Sequence, residues 1–166
     1  MLAPFRILKG IEVNIRANGE LDVTDDLLEP LDWVMASVHT SFDKDPTGRV
    51  LAAMESPHID CIGHPTSRRI GVRNPSTIEV EKIVEGALAT GTFLEINSQP
   101  DRLDLRDANA RLAGEAGVTL TISSDGHSTK ALRYVELGVA QARRAWLTKE
   151  QILNTRPWPE IEKLHK

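Results

Sequence analysis

The chain alternates short, almost wholly apolar runs with longer segments whose apolar residues recur at helical spacing. Five β-rich runs stand out, at residues 5–15, 33–38, 59–62, 92–96 and 118–122. The second, fourth and fifth are nearly continuous in apolar character, as parallel strands covered on both faces are. Between the runs lie helix signals. Ser76 with Glu79 reads as a capping box ahead of Ile78, Ile83, Val84, Ala87 and Leu88, and Gly91 as the stop. Asp104 is expected to cap a helix carrying Leu105, Ala108, Leu112 and Ala113, which Gly117 ends. A further helix is expected over 135–146, and another opened by Thr148 with Gln151.

Strands alternating with helices predict an α/β fold with a mainly parallel sheet. A closed parallel barrel takes eight strands, and five runs are present. The sheet is therefore open, or the chain is a portion of a larger barrel, or a partner supplies the rest. The first run starts almost at residue 1 with no helix before it, which favours missing N-terminal strands. The 166 residues suit a single domain, 1–166.

Charge narrows the picture only a little. Twenty basic against 24 acidic residues give a net charge of −4, which argues against a broadly basic nucleic-acid-binding surface. Bound divalent cations would reverse the field locally, so a nucleic-acid substrate is not excluded. The single cysteine, Cys61, rules out an internal disulfide framework and reads as a buried core residue. No window reaches the length of a membrane span, and the start lacks a long apolar signal region. A cytoplasmic protein without membrane attachment is the expectation.

Candidate chemistry sits where polar residues interrupt the apolar runs. Glu12 lies inside the first run, His39 ends the second, and His64 follows the third. Glu95 and Asn97 close the fourth, and Asp125 and His127 follow the fifth. In parallel α/β folds the C-terminal strand ends share one face, so these residues are expected to converge. Imidazoles and carboxylates without a thiolate cluster suit Zn²⁺, Mn²⁺ or Fe²⁺. Singly, each residue has a bland structural reading; the ordered ensemble carries the signal. His58, ahead of a strand, and His165, in the C-terminal tail, are set aside.

Four motifs in order resemble the polymerase and histidinol phosphatase (PHP) family: KGIEVNI at 9–15, ASVH at 36–39, CIGHP at 61–65 and SSDGHS at 123–128. Residues 94–105 and 153–157 look most like the C-terminal PHP domain of bacterial family X DNA polymerases, a pattern that stand-alone PHP proteins share. The resemblance implies an incomplete, distorted TIM-like (β/α) barrel. The family's opening His-X-His strand and the ligands that follow it have no counterpart here, because no histidine precedes His39. Gly126 stands where the family usually has alanine.

By resemblance, Glu12, His39 and His64 bind one divalent metal, with Glu12 able to bridge to a second. Asp125 and His127 belong to two further metal sites and carry catalytic roles. The implied activity is metal-dependent hydrolysis of phosphomonoesters or phosphodiesters, including 3′–5′ exonuclease action of the kind used in DNA repair. Arg68 and Arg102, with Arg69, Arg73 and Asn97, are candidates for holding substrate phosphate, since guanidinium offers a two-pronged donor. Glu95 is expected to orient a ligand rather than bind metal, and Asn97 and Gln99 to support the metal shell or hold the loop.

Two other readings stay open. One is a truncated, non-catalytic metal-binding accessory module. The other is a histidinol-phosphatase-like or amidohydrolase-like enzyme. Expected partners are a phosphate-ester substrate, DNA included, a missing N-terminal segment or polymerase domain, and a second copy docked at the open barrel edge.

Overall fold

The computed structural model describes residues 6–164. Phe5, expected to begin the first strand, and His165 lie outside the described residues. Five strands form one sheet: β1 (Gly10–Asn14), β2 (Trp33–Ser37), β3 (Cys61–Ile62), β4 (Phe93–Asn97) and β5 (Leu120–Ser123). The helices between and after them are α1 (Asp25–Leu28), α2 (Pro46–Met54), α3 (Val80–Thr90), α4 (Asp107–Ala116), α5 (Val135–Arg144) and α6 (Trp158–Ile161). The spatial order is β1-β2-β3-β4-β5, and all four pairings are parallel. Each crossover thus steps one strand in the same direction, as in the wall of a (β/α) barrel, and the sheet does not close. It is compatible with an incomplete barrel.

Alternation along the strands gives the sheet two buried faces. Val13, Val34, Ala36, Ile62, Leu94 and Ile122 join Val50 and Met54 of α2, Ile83 of α3 and Ala113 of α4 in the main core. On the other face Cys61, Phe93 and Leu153 are buried with Trp33, Met35 and Ile161. Trp33 and Phe93 stack there, with centroids 5.8 Å apart and rings 9° from parallel. Cys61 is the core residue expected, fully buried. The outer edge of β5 is covered, since Leu120 bridges to Ile152 and the Ile122 N–H donates to Asn154 Oδ1 at 2.7 Å.

The helix stops are as read. Gly91 and Gly117 end α3 and α4 with φ of 72° and 100°, a conformation that costs glycine nothing. Thr148 N–H donates to Gln151 Oε1 at 2.9 Å, opening the turn expected there. Two predicted caps are replaced. The Ser76 hydroxyl donates to the Thr66 carbonyl instead of capping α3, whose N-cap is Glu79. Asp104 is buried and accepts from the N–H and hydroxyl of Thr66 at 3.0 and 2.8 Å, leaving Arg106 as N-cap of α4. In both cases a donor or acceptor distant in sequence outcompetes the local one. Helix α2 was not anticipated; Asp45 caps it by accepting from Gly48 N–H at 2.9 Å, with Pro46 at the first position. Among the described residues no helix is long and apolar enough to cross a membrane.

Helix α5 seats closely on the sheet through Gly138, where a Cβ would come within 2.6 Å of Ile122 Cγ2 and 3.2 Å of Ser98 Cβ. Gly→Ala inside a helix ordinarily stabilises by about 1 kcal/mol. Here Gly138→Ala is expected to destabilise instead, by about 1–3 kcal/mol from overpacking, as read by urea unfolding.

Candidate metal centre

Three strands deliver three ligand-type side chains to one point. Glu12 projects from β1, His39 lies two residues past the end of β2, and His64 two residues past the end of β3. The ligand atoms of Glu12, His39 and His64 all lie within 4.8 Å of one another. Nε2 of His39 is 3.4 Å and Nε2 of His64 is 3.1 Å from the same oxygen, Glu12 Oε1. The two rings meet edge to face, centroids 5.0 Å apart. Ligands held tetrahedrally at about 2.0–2.1 Å from a cation stand about 3.3 Å from one another. The observed N···O separations match that edge, and two imidazoles with a carboxylate are a fitting donor set for a divalent cation.

Neighbouring groups aim these donors. His39 Nδ1 lies 2.5 Å from Asn14 Oδ1, and Asn14 Nδ2 donates to Asp22 Oδ2 at 2.5 Å. A carboxylate can only accept, so the Asn14 amide must present Nδ2 to Asp22 and its oxygen to His39. His39 Nδ1 is then the donor to Asn14, which fixes the ring and turns Nε2 towards Glu12. Asn14 was given no role from the sequence, although it shares a strand face with Glu12 at i+2. His64 is held differently: its side chain is buried, and its backbone N–H donates to Glu95 Oε2 at 2.6 Å.

The charges are strongly coupled. Hydrogen bonds from His39 and then His64 hold the Glu12 carboxyl far below the usual carboxylate range, against the opposing effect of burial. Burial pulls the His64 imidazole down, but the Glu12 hydrogen bond and the Glu95 charge outweigh it and raise its pKa. Glu95 itself is pushed up to about 7 by burial, with the His64 charge and the Ser123 hydroxyl pulling the other way.

The remaining expected residues form a second group along the same rim. Asp125, with φ of 47°, accepts from Asn97 Nδ2 at 3.1 Å and lies 3.6 Å from Arg102 Nε. Gln99 donates to its backbone carbonyl. His127 is exposed, its Nε2 3.2 Å from Asp125 Oδ1. Asp125 and His127 thus pair with each other, outside the Glu12, His39 and His64 set. Asn97 links the groups, donating also to Glu95 Oε2 at 3.3 Å. Arg68 donates through Nε to the Arg102 carbonyl at 2.7 Å and through Nη2 to that of Leu103, tying two loops together.

Two measurements follow from this geometry. Asn14→Ala frees the His39 ring, and is expected to weaken divalent-metal binding about 10- to 100-fold in a calorimetric titration. Glu95 binds its proton more tightly folded than unfolded. Its contribution to the metal-free protein therefore falls as pH rises from the ordinary value of 4.5 towards about 7. Glu95→Gln should flatten that part of a stability-versus-pH curve.

No family model matches the chain. Individual relatives do. It is 41% identical over 161 residues to the DNA polymerase/3′-5′ exonuclease PolX of Bacillus subtilis (strain 168), covering 95% of this chain and 28% of that protein. It is 32% identical over 163 residues to a probable phosphatase of Thermoanaerobacter sp. (strain X514), covering 90% of this chain and 64% of the relative. A probable phosphatase of Syntrophotalea carbinolica is 31% identical over 166 residues, 92% of this chain and 66% of the relative. The chain spans less than two thirds of the length of these relatives. Proteins named as phosphatases and as a polymerase/exonuclease match 90% or more of this chain, as its resemblance to the PHP family of phosphoesterases leads one to expect.

Proposed function

We propose that this chain is a metal-dependent phosphoesterase domain that hydrolyses phosphomonoesters or phosphodiesters. The observation that carries the reading is the meeting of Glu12, His39 and His64, from three strands, at separations suited to one cation. Zn²⁺, Mn²⁺ and Fe²⁺ all suit this donor set. The name of the Bacillus relative, a DNA polymerase/3′-5′ exonuclease, motivates 3′–5′ exonuclease-type hydrolysis, with a role in DNA repair, as the finer form of the proposal.

Glu12, His39 and His64 would hold the cation. Once bound, it supplies Lewis acidity towards water and a phosphoryl oxygen. The protein's own groups do the rest. Asn14 and Asp22 keep His39 Nε2 aimed inward. Arg102, held 3.6 Å from Asp125, offers a guanidinium for substrate oxygens, and Asn97 Nδ2 offers an amide N–H beside it. Asp125 Oδ1 and His127 Nε2, 3.2 Å apart with the imidazole in solvent, form a pair able to take a proton at the rim and pass it to water. Arg68, braced on two carbonyls, would position Arg102 through the backbone that it grips.

One observation favours a second reading. Asp125 and His127 stand apart from the triad, so the triad alone could stabilise the fold as a non-catalytic metal module. An amidohydrolase draws no support from relatives named as phosphatases. A polymerase partner domain and a homodimer at the open edge remain proposals; for the latter, a mostly apolar cavity of about 290 Å³ between β1, β2 and β5 is the relevant surface.

Purified protein supplied with Mn²⁺ should hydrolyse bis(p-nitrophenyl) phosphate, and excess chelator should abolish it. Glu12→Ala, His39→Ala and His64→Ala are each expected to cut turnover at least about 100-fold and to weaken metal retention. Tight metal binding with no turnover on mono- or diesters would support the accessory module instead.

A further inference from the structure

The rim carries a basic pocket that the metal reading leaves unused. Arg69 and Arg73 face each other across an antiparallel bridge, with Gly71 at φ of 76° turning the tip between them. This hairpin borders a pocket of about 440 Å³ lined by Arg68, Arg69 and Arg73 and, from the start of α4, by Arg106. In a chain of net charge −4, four arginines lining one opening are a local excess of positive charge. Carboxylates answer them only in part: Asp101 accepts from Arg69 through both Nε, at 2.9 Å, and Nη2, while Arg106 meets the neutral Asn109 at 3.4 Å. The fields overlap, since after burial it is Arg102 and Arg69 that most lower the pKa of Arg73.

Arg73 places this pocket beside the metal centre. Its Nε and Nη2 both donate to the Ser67 carbonyl, at 2.9 and 2.6 Å, and its guanidinium lies 3.8 Å over the ring of Phe42. Ser67 N–H in turn bonds the His64 carbonyl at 2.8 Å, closing a turn whose ends stand within about 7 Å. Phe42 follows His39 by three residues. Arg73 is therefore wedged between the loops that carry His39 and His64. At the hairpin tip Ile70 and Val72 are 51% and 73% exposed.

Guanidinium forks match phosphate, and an exposed apolar surface beside them matches a base. A lone small anion would leave most of this pocket without use. We propose that the 69–73 hairpin with Arg106 holds the next phosphate of a nucleic-acid strand whose terminal ester lies at the metal centre, with Ile70 and Val72 against a base. This rests on the phosphoesterase reading in its exonuclease form and adds to it a place for the phosphate next to the reacting one.

The test reads binding, so it stands apart from whether the chain hydrolyses anything. A fluorescent single-stranded ten-nucleotide DNA is titrated with the full chain in chelator, by anisotropy, across a range of salt. Against wild type, Arg69→Ala/Arg106→Ala is expected to bind at least tenfold more weakly. Its slope of log K against log salt should be shallower by about 0.7, for one phosphate no longer neutralised. Ile70→Ser/Val72→Ser should weaken binding severalfold with the slope unchanged. A urea midpoint equal to that of wild type confirms that each variant is folded. DNA binding that is equal in wild type and the arginine variant, or absent in wild type, overturns the proposal. So does an equal loss of affinity for a nucleoside 3′,5′-bisphosphate, which would assign the pocket to a small substrate with two phosphates.

Discussion

Every pairing in this sheet is parallel and every crossover moves one strand along, so all five strands end at the same rim. That constraint makes the site. Glu12, His39, His64, Glu95 and Asp125 each come from a different strand or the loop beyond it, and none has a sequence neighbour among the others. Beneath the rim, the stack of Trp33 on Phe93 and the buried Cys61 hold the strands apart at fixed spacing. A tightly packed interior moves little, and ligand separations of a few tenths of an ångström matter for a cation.

The same convergence creates an electrostatic problem. Three carboxylates, Glu12, Glu95 and Asp125, are drawn towards one rim, and Glu95 is fully buried. The protein answers with a chain of hydrogen bonds running from His64 N–H to Glu95 and through Asn97 to Asp125, which ends on an ion pair with Arg102. Glu95 holds its proton up to about 7, and Glu12 is kept ionised by the two imidazoles. A divalent cation at the triad supplies positive charge where these side chains are already directed, with little rearrangement.

The strands and their common face were legible because burial on both sides writes an unbroken apolar run, as in residues 92–96. The meeting of Glu12, His39 and His64 was legible for a related reason: singly each has a bland reading, but several such residues in order at the ends of parallel strands share one rim. What the sequence hid were interactions between distant segments. Ser76 and Asp104 read as local caps, yet each is claimed by Thr66. Asn14 sits in plain view beside Glu12, but its role depends on Asp22 and on His39 arriving from β2. The basic pocket was hidden by a net negative charge, which averages over a surface that folding sorts into patches.

Crystals soaked in Mn²⁺ and measured for anomalous scattering test the central claim most directly. The account predicts a peak about 2.0–2.3 Å from a Glu12 carboxylate oxygen and from Nε2 of both His39 and His64. No peak at that point, or one bound by other residues while the triad keeps its direct contacts, would contradict it.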